Sequence, residues 1–181
     1  MSEMNAIKDA LTRAEKTVTL RPERGQRTYC SVATVGEGTR CDVAEAGRTL
    51  TLDVGKALGG QDAGPNPSMV YRSAMSGCIA IGVKQWAARR DVPVEHVEVS
   101  LETDVDARGQ LGVRDDIVPG FEAIRLSIVV TSTASQEEIE QLVTASLKYS
   151  PLMDALLRPQ SVERHISVVR SHGSTQPSGG S

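Results

Sequence analysis

The amino-acid sequence predicts an α+β protein in which antiparallel sheets pack on central helices. Three observations carry that expectation. A Thr- and Val-rich stretch from Thr28 to Val54 is interrupted by Gly36, Gly38 and Gly47; a long helical pattern opens at Pro67; and two stretches of alternating apolar residues occupy 94–105 and 121–133.

Each element has a local reason. Ile7, Ala10, Leu11 and Ala14 share one face between Met4 and Thr17, the pattern of a short amphipathic helix, which RPERGQR (Arg21 to Arg27) then breaks. Three strands follow as a meander, at about 28–35, 39–44 and 48–54, with Gly36 to Gly38 and Ala46-Gly47 as turns. Gly59, Gly60, Gly64, Pro65 and Pro67 cluster in a loop. There Asn66 is placed to cap a helix whose first residue is Pro67, where a missing N–H is no loss, and which runs to about Arg90. The stretches 94–105 and 121–133 read as a hairpin around a polar, Gly-containing excursion. Ser135 followed by Glu138 forms a capping box for a helix over 136–147, Pro151 restarts it as 151–158, and SVERHISVVR from Ser161 reads as a last strand. Residues 1–26 are then an N-terminal helix and linker and 27–170 a single domain. Residues 171–181 are expected to be a disordered tail, with too little apolar content to fold.

Composition narrows the function classes. At 181 residues the chain suits one domain, although two very small ones would also fit. Hydrophobic residues make up 39% and aromatics 3%, and the formal charge of −3 is spread without a basic stripe, so nucleic acid is not an expected partner. MSEMNAIKDAL lacks a basic region followed by an apolar core and cleavage site, and no stretch approaches the roughly 18 apolar residues of a membrane span. A cytoplasmic location is expected. Cys30, Cys41 and Cys78 are odd in number and widely spaced, which argues against a disulfide framework and against a zinc site built on close cysteine pairs. His96, His165 and His172 show no ligand spacing, and GPNPS lacks the strand and lysine of a nucleotide loop, so neither metal nor cofactor is expected. Cys30 and Cys41 fall on neighbouring predicted strands, as half-buried sheet residues or as a redox pair.

The helix opened by GPNPSMVYRSAMSGC carries the most chemistry. At roughly 100° per residue, Tyr71, Cys78 and Gln85 lie on one line, flanked by Met75, Ile81 and Gly82. Ser73, Ala74, Ser76, Gly77, Ala80 and Gly82 leave little bulk, so a closely apposed second helix is expected, offsetting the about 1 kcal/mol that Gly77 and Gly82 each cost the helix. Cys78 reads either as a small buried residue or as a reactive thiol. It lies too far from the helix N-terminus for the dipole to act, so a reactive thiol would need a cation from elsewhere in the fold.

In order and spacing, the Gly-Gly loop, the GPNP turn, the Cys-bearing helix and the later KYSP segment resemble the family of osmotically inducible protein C and organic hydroperoxide resistance proteins, over roughly Thr28 to Val169. The resemblance implies an intertwined homodimer with two long helices packed centrally. In active members it also implies reduction of organic hydroperoxides by a reactive cysteine, an arginine that lowers its pKa, a glutamate that holds the arginine, and a resolving cysteine. Cys78 matches the reactive cysteine. Ser68 stands where the hydroperoxide-resistance branch has the glutamate of NPE, and Tyr149-Ser150-Pro151 stands where the family reads Tyr-Cys-Pro. A sulfenic acid on Cys78 would therefore need an external thiol, or Cys30 or Cys41. The family arginine lies in the first hairpin, where VGEGTRCDV offers Arg40. A gap-free count back from Gly59 falls on Glu37 instead, a solvated turn charge is the other reading of Arg40, and Arg27 and Arg72 are weaker substitutes.

Two functional expectations stand side by side. In one, the protein is a one-cysteine thiol peroxidase acting on organic hydroperoxides in oxidative stress through Cys78 and an external thiol reductant. In the other it is non-catalytic: a dimer-interface pocket lined by Tyr71, Met75, Cys78 and Trp86 binds a small apolar molecule, or Cys78 only senses oxidation.

Overall fold

A computed structural model describes residues 3–170 of the chain. Helix α1 (Glu3–Leu20) forms where the apolar periodicity places it; Met4, Ile7 and Leu11 are half-buried, while Ala10 and Ala14 stay exposed. A 3-10 turn at Pro22–Gly25 ends it. Strands β1 (Val32–Val35), β2 (Cys41–Glu45) and β3 (Arg48–Leu52) then form the expected meander, antiparallel throughout, with Cys41 opposite both Val35 and Leu52. Ala46 and Gly47 both take positive φ, 48° and 76°, giving the β2–β3 hairpin the tight turn that matches strand twist.

Helix α2 (Pro67–Arg90) is the backbone of the domain. The Asn66 side chain accepts the Met69 N–H at its start, and Arg89 and Arg90 sit at its negative end. Met75, Ile79, Val83 and Ala87 recur every fourth residue, and all four are buried. Against this stripe lies the hairpin of β4 (His96–Val105) and β5 (Phe121–Thr131), whose alternating burial turns Val97, Val99 and Leu101 and their partners Val130, Ile128 and Leu126 inward. The excursion between the strands holds a short helix, α3 (Ala107–Gln110), capped by Asp106, which the sequence reading did not anticipate. Helix α4 (Gln136–Lys148) opens on the capping box of Ser135 and Glu138, and α5 (Pro151–Leu157) restarts the chain behind Ser150. Ala87, Val94 and Leu142 form a buried cluster, with Met4, Trp86, Val97, Val130 and Ile139 packed around it. Ion pairs of Lys8 with Asp91 and of Glu15 with Arg89 fasten α1 to the end of α2.

Two expectations are corrected. The segment from Ser161 is no strand in this chain: residues 161–170 join no ladder, and Ile166 and Val168 are 87% and 84% exposed. A strand needs a neighbouring backbone to hydrogen-bond, and no described residue pairs with this segment in a ladder. Cys30 precedes β1 and is exposed, so it does not share a sheet with Cys41. The β4–β5 sheet packs on α2 as expected, whereas the first sheet leaves Val32, Val35 and Leu50 exposed. The tail expected at 171–181 lies outside the described residues. Among the described residues no helix is long and apolar enough to cross a membrane.

Candidate functional site

The loop before α2 is built on one carboxylate. Asp53, 2% exposed at the end of β3, accepts the Thr39 hydroxyl at 2.7 Å and the N–H groups of Val54, Gln61 and Ala63 at 2.8, 2.9 and 3.1 Å. These donors, Thr39 first, hold its pKa down to about 2. The chain folds back on itself so closely here that a Cβ on Gly60 would collide with the Val54 carbonyl, and one on Gly64 with the Thr51 carbonyl. Two glycines and one acid thereby set where α2 begins.

Three turns into α2 stands Cys78, half-buried, one position before the buried Ile79. Its sulfur lies 3.3 Å from the hydroxyl oxygen of Ser150. Ser150 is 5% exposed, held at the α4–α5 junction because the same oxygen accepts the Met153 N–H at 3.2 Å as the N-cap of α5. The α4 helix reaches this position by passing close to α2 at Gly82, where a Cβ would collide with Ser146 Oγ, and Ser146 donates in turn to the Ile79 carbonyl at 3.0 Å. The close second helix expected from the small residues is α4 at Gly82. Among the described residues, nothing outside its own helix and neighbours would lie within 4 Å of a Cβ on Gly77.

The other expected residues are placed elsewhere. Arg40 is exposed and pairs with Asp42, two residues further along, 3.4 Å away. The guanidinium of Arg72 donates to Thr103 Oγ1 at 3.2 Å, toward β4 and away from the thiol. Tyr71 packs on Phe121 with ring centroids 5.3 Å apart, Met75 is in the core at 2% exposure, and Trp86 stacks on Tyr149 at 5.2 Å beneath the Arg89 guanidinium. From Tyr71 to Trp86 the helix rises about 22 Å, so within one chain these residues line α2 rather than enclose a common pocket. Ser68 instead borders a cavity of about 420 Å³ with Asn66, Arg72, Thr103 and Gln110. A second cavity, of about 490 Å³, lies between α1, α2 and β4 and is walled by Ile7, Ala80, Ile81 and Val97.

Among the described residues Ser150 is the hydrogen-bond partner of Cys78, and no charged side chain bonds to the sulfur. Nor do three His, Cys, Asp or Glu side chains there come together in a group able to hold a metal ion. Sequence reasoning treated Ser150 as a lost cysteine and missed it as a contact; the signal available was its place ahead of Pro151, where a serine is an N-cap. Asp53 was missed as well, although an acid closing a strand before a glycine-rich loop is a residue type suited to gathering backbone N–H groups.

The family model for OsmC-like proteins matches residues 59–164. By fold, the chain resembles the OsmC-like protein of Mycoplasma pneumoniae, at 17% identity with a TM-score of 0.63, over 73% of this chain and 89% of that one. It also resembles the organic hydroperoxide resistance protein OsmC of Legionella pneumophila, at 20% identity and TM-score 0.52, over 72% and 89% of the two chains. The organic hydroperoxide resistance protein of Elizabethkingia anophelis gives 19% identity and TM-score 0.54, over 72% and 88%. No curated protein matches by sequence.

Proposed function

The chain belongs to the OsmC-like protein family, and from that premise we propose that it reduces organic hydroperoxides as a cytoplasmic homodimer, with Cys78 as its single reacting cysteine. The observation that carries this reading is the placement of the Cys78 thiol, half-buried on the central helix with a hydroxyl 3.3 Å from its sulfur. The organic hydroperoxide resistance proteins among its structural neighbours supply the substrate class. The thiolate attacks one peroxide oxygen: the O–O bond breaks, an S–O bond forms, and the departing alkoxide takes a proton to leave as an alcohol. An external thiol then displaces hydroxide from the sulfenic acid, which leaves as water, giving a mixed disulfide. A second external thiol releases Cys78 and leaves in the oxidised disulfide.

The homodimer is supported by what one chain leaves uncovered. Ala74, Gly77, Ile81 and Gln85 form a stripe on α2 opposite its buried face, with Ile81 61% exposed; the first sheet leaves Val32, Val35 and Leu50 exposed; and residues 161–170 pair with no described strand. In the dimer we assign Arg40 as the cation that activates the Cys78 thiol, with Tyr71, Met75 and Trp86 framing the approach to it. Residues 27–170 are the domain in this reading.

Exposure to an organic hydroperoxide with mass-spectrometric trapping of sulfenic acid tests it. Modification at Cys78, and loss of peroxide consumption in Cys78→Ser, are expected; equal consumption by the mutant would sink the enzyme reading. The competing reading, a non-catalytic member that binds a small apolar molecule or senses oxidation through Cys78, is favoured because among the described residues no charged side chain bonds to the Cys78 sulfur. It predicts oxidation of Cys78 without catalytic turnover, or none at all.

A further inference from the structure

We propose that Ser150, standing where the family's resolving cysteine would be, is a positioning residue for Cys78, its hydroxyl donating to the sulfur and favouring the thiolate. The inference deepens the peroxidase reading and rests on Cys78 being the reacting group. Ser150 Oγ already accepts the Met153 N–H, so its lone proton is free to point elsewhere, and Cys78 Sγ lies within hydrogen-bonding reach at 3.3 Å. A neutral thiol is a weak partner from either side, whereas a thiolate is a charged acceptor, so the contact is worth more to the ionised form. Ser150 is buried, 5% exposed, and water therefore competes poorly for that proton.

Among the described residues no charged side chain bonds to the Cys78 sulfur, and many of those on α2 and the elements packed against it are engaged elsewhere. Lys8 pairs with Asp91 and Glu15 with Arg89 beside α1; Glu102 and Asp104 of β4 pair with Arg125. Glu138 bonds Ser135 in α4, Lys148 lies over the Tyr149 ring, and Asp154 pairs with Arg158 in α5. On α2 itself Arg72 bonds Thr103, and Lys84 bonds the Val94 carbonyl. Among the described residues the hydroxyl is the group that hydrogen-bonds this sulfur. Being a hydroxyl, it holds the thiolate and cannot form the disulfide that a cysteine there would.

The test is the pH profile of iodoacetamide alkylation at Cys78 in the full chain, followed on the Cys78 peptide so that Cys30 and Cys41 do not contribute. Ser150→Ala should shift the profile to higher pH and slow alkylation at pH 7 by about threefold to tenfold, a tenfold change corresponding to one pKa unit; Ser150→Thr, which keeps the hydroxyl, should retain the wild-type profile. Should Ser150→Ala fail to fold for want of its cap, Ser150→Gly removes the hydroxyl while glycine costs an N-cap only about a few tenths of a kcal/mol. An unchanged profile in a folded Ala or Gly variant would overturn the inference, as would a Thr variant that behaves like Ala. Because alkylation needs no peroxide, failure of the peroxidase reading shows separately, as absence of sulfenic acid in the wild-type protein.

Discussion

The Thr39 hydroxyl donates to Asp53 Oδ1 over 2.7 Å and so ties the turn of the first hairpin to the loop from which the central helix starts. Arg40 is the next residue along, so the same bond fixes the root of the side chain proposed to activate Cys78. Asp53 also gathers three backbone N–H groups, and its anionic form is the one that can accept from all four donors.

Asp53 therefore links loop order to pH. Its folded pKa lies near 2, below its ordinary 3.8, so its contribution to stability is present in full above about pH 4 and is lost as pH falls toward 2. Asp53→Asn should lower stability at neutral pH and flatten the dependence across that window. Denaturant melts followed by circular dichroism between pH 2 and pH 6 would show it; parallel pH curves for mutant and wild type would refute the link.

Gly82→Ala should destabilise the fold despite alanine's better helix propensity. The added methyl meets Ser146 Oγ, a short side chain anchored to the Ile79 carbonyl, so α4 must move or that bond must break. A loss of about 1–3 kcal/mol is expected from overpacking of this kind, set against the gain of about 1 kcal/mol that the same change brings in an uncrowded helix. Urea unfolding measures the sign, and a stabilised variant would mean that the two helices are not in close contact.

Ser150→Cys should convert the chain to an enzyme with an internal resolving thiol. The present Sγ···Oγ separation is 3.3 Å, and a disulfide needs about 2.05 Å between sulfurs, a closure that modest side-chain adjustment supplies. After one equivalent of organic hydroperoxide the variant should yield, by mass spectrometry, a disulfide-linked peptide joining Cys78 to the thiol introduced by the substitution. Persistent sulfenic acid at Cys78 with no linked peptide would count against the placement of the α4–α5 junction.

Ile81→Glu should weaken the proposed dimer by at least about tenfold, since it places a charge where an isoleucine side chain worth about 1.5–3 kcal/mol on burial would be covered. Light scattering across a dilution series reads the change directly. A wild-type protein that is monomeric at every concentration would remove the dimer from the account.

Most elements were legible because their causes lie within a few residues of their effects. Asn66 caps the helix three residues before its Met69 partner, Ser135 and Glu138 close on each other across one turn, and the alternation of Val97, Val99 and Leu101 specifies its own buried face. The strand expected from Ser161 failed for the opposite reason. Its alternating pattern shows a preference for an extended backbone, but a ladder needs a second backbone, and among the described residues none pairs with it.

Periodicity, caps and motif spacing are properties of neighbouring positions, and they were enough to give the family and the order of the elements from α1 to α5, apart from the short α3 and the strand expected from Ser161. Only the tertiary structure decided what Cys78 touches. Ser150 is 72 residues away along the chain, and it reaches the thiol because Gly82 lets α4 lie close, Ser146 holds it there, and Pro151 turns the chain at that point. Such a contact depends on how two helices pack, and no local pattern encodes it.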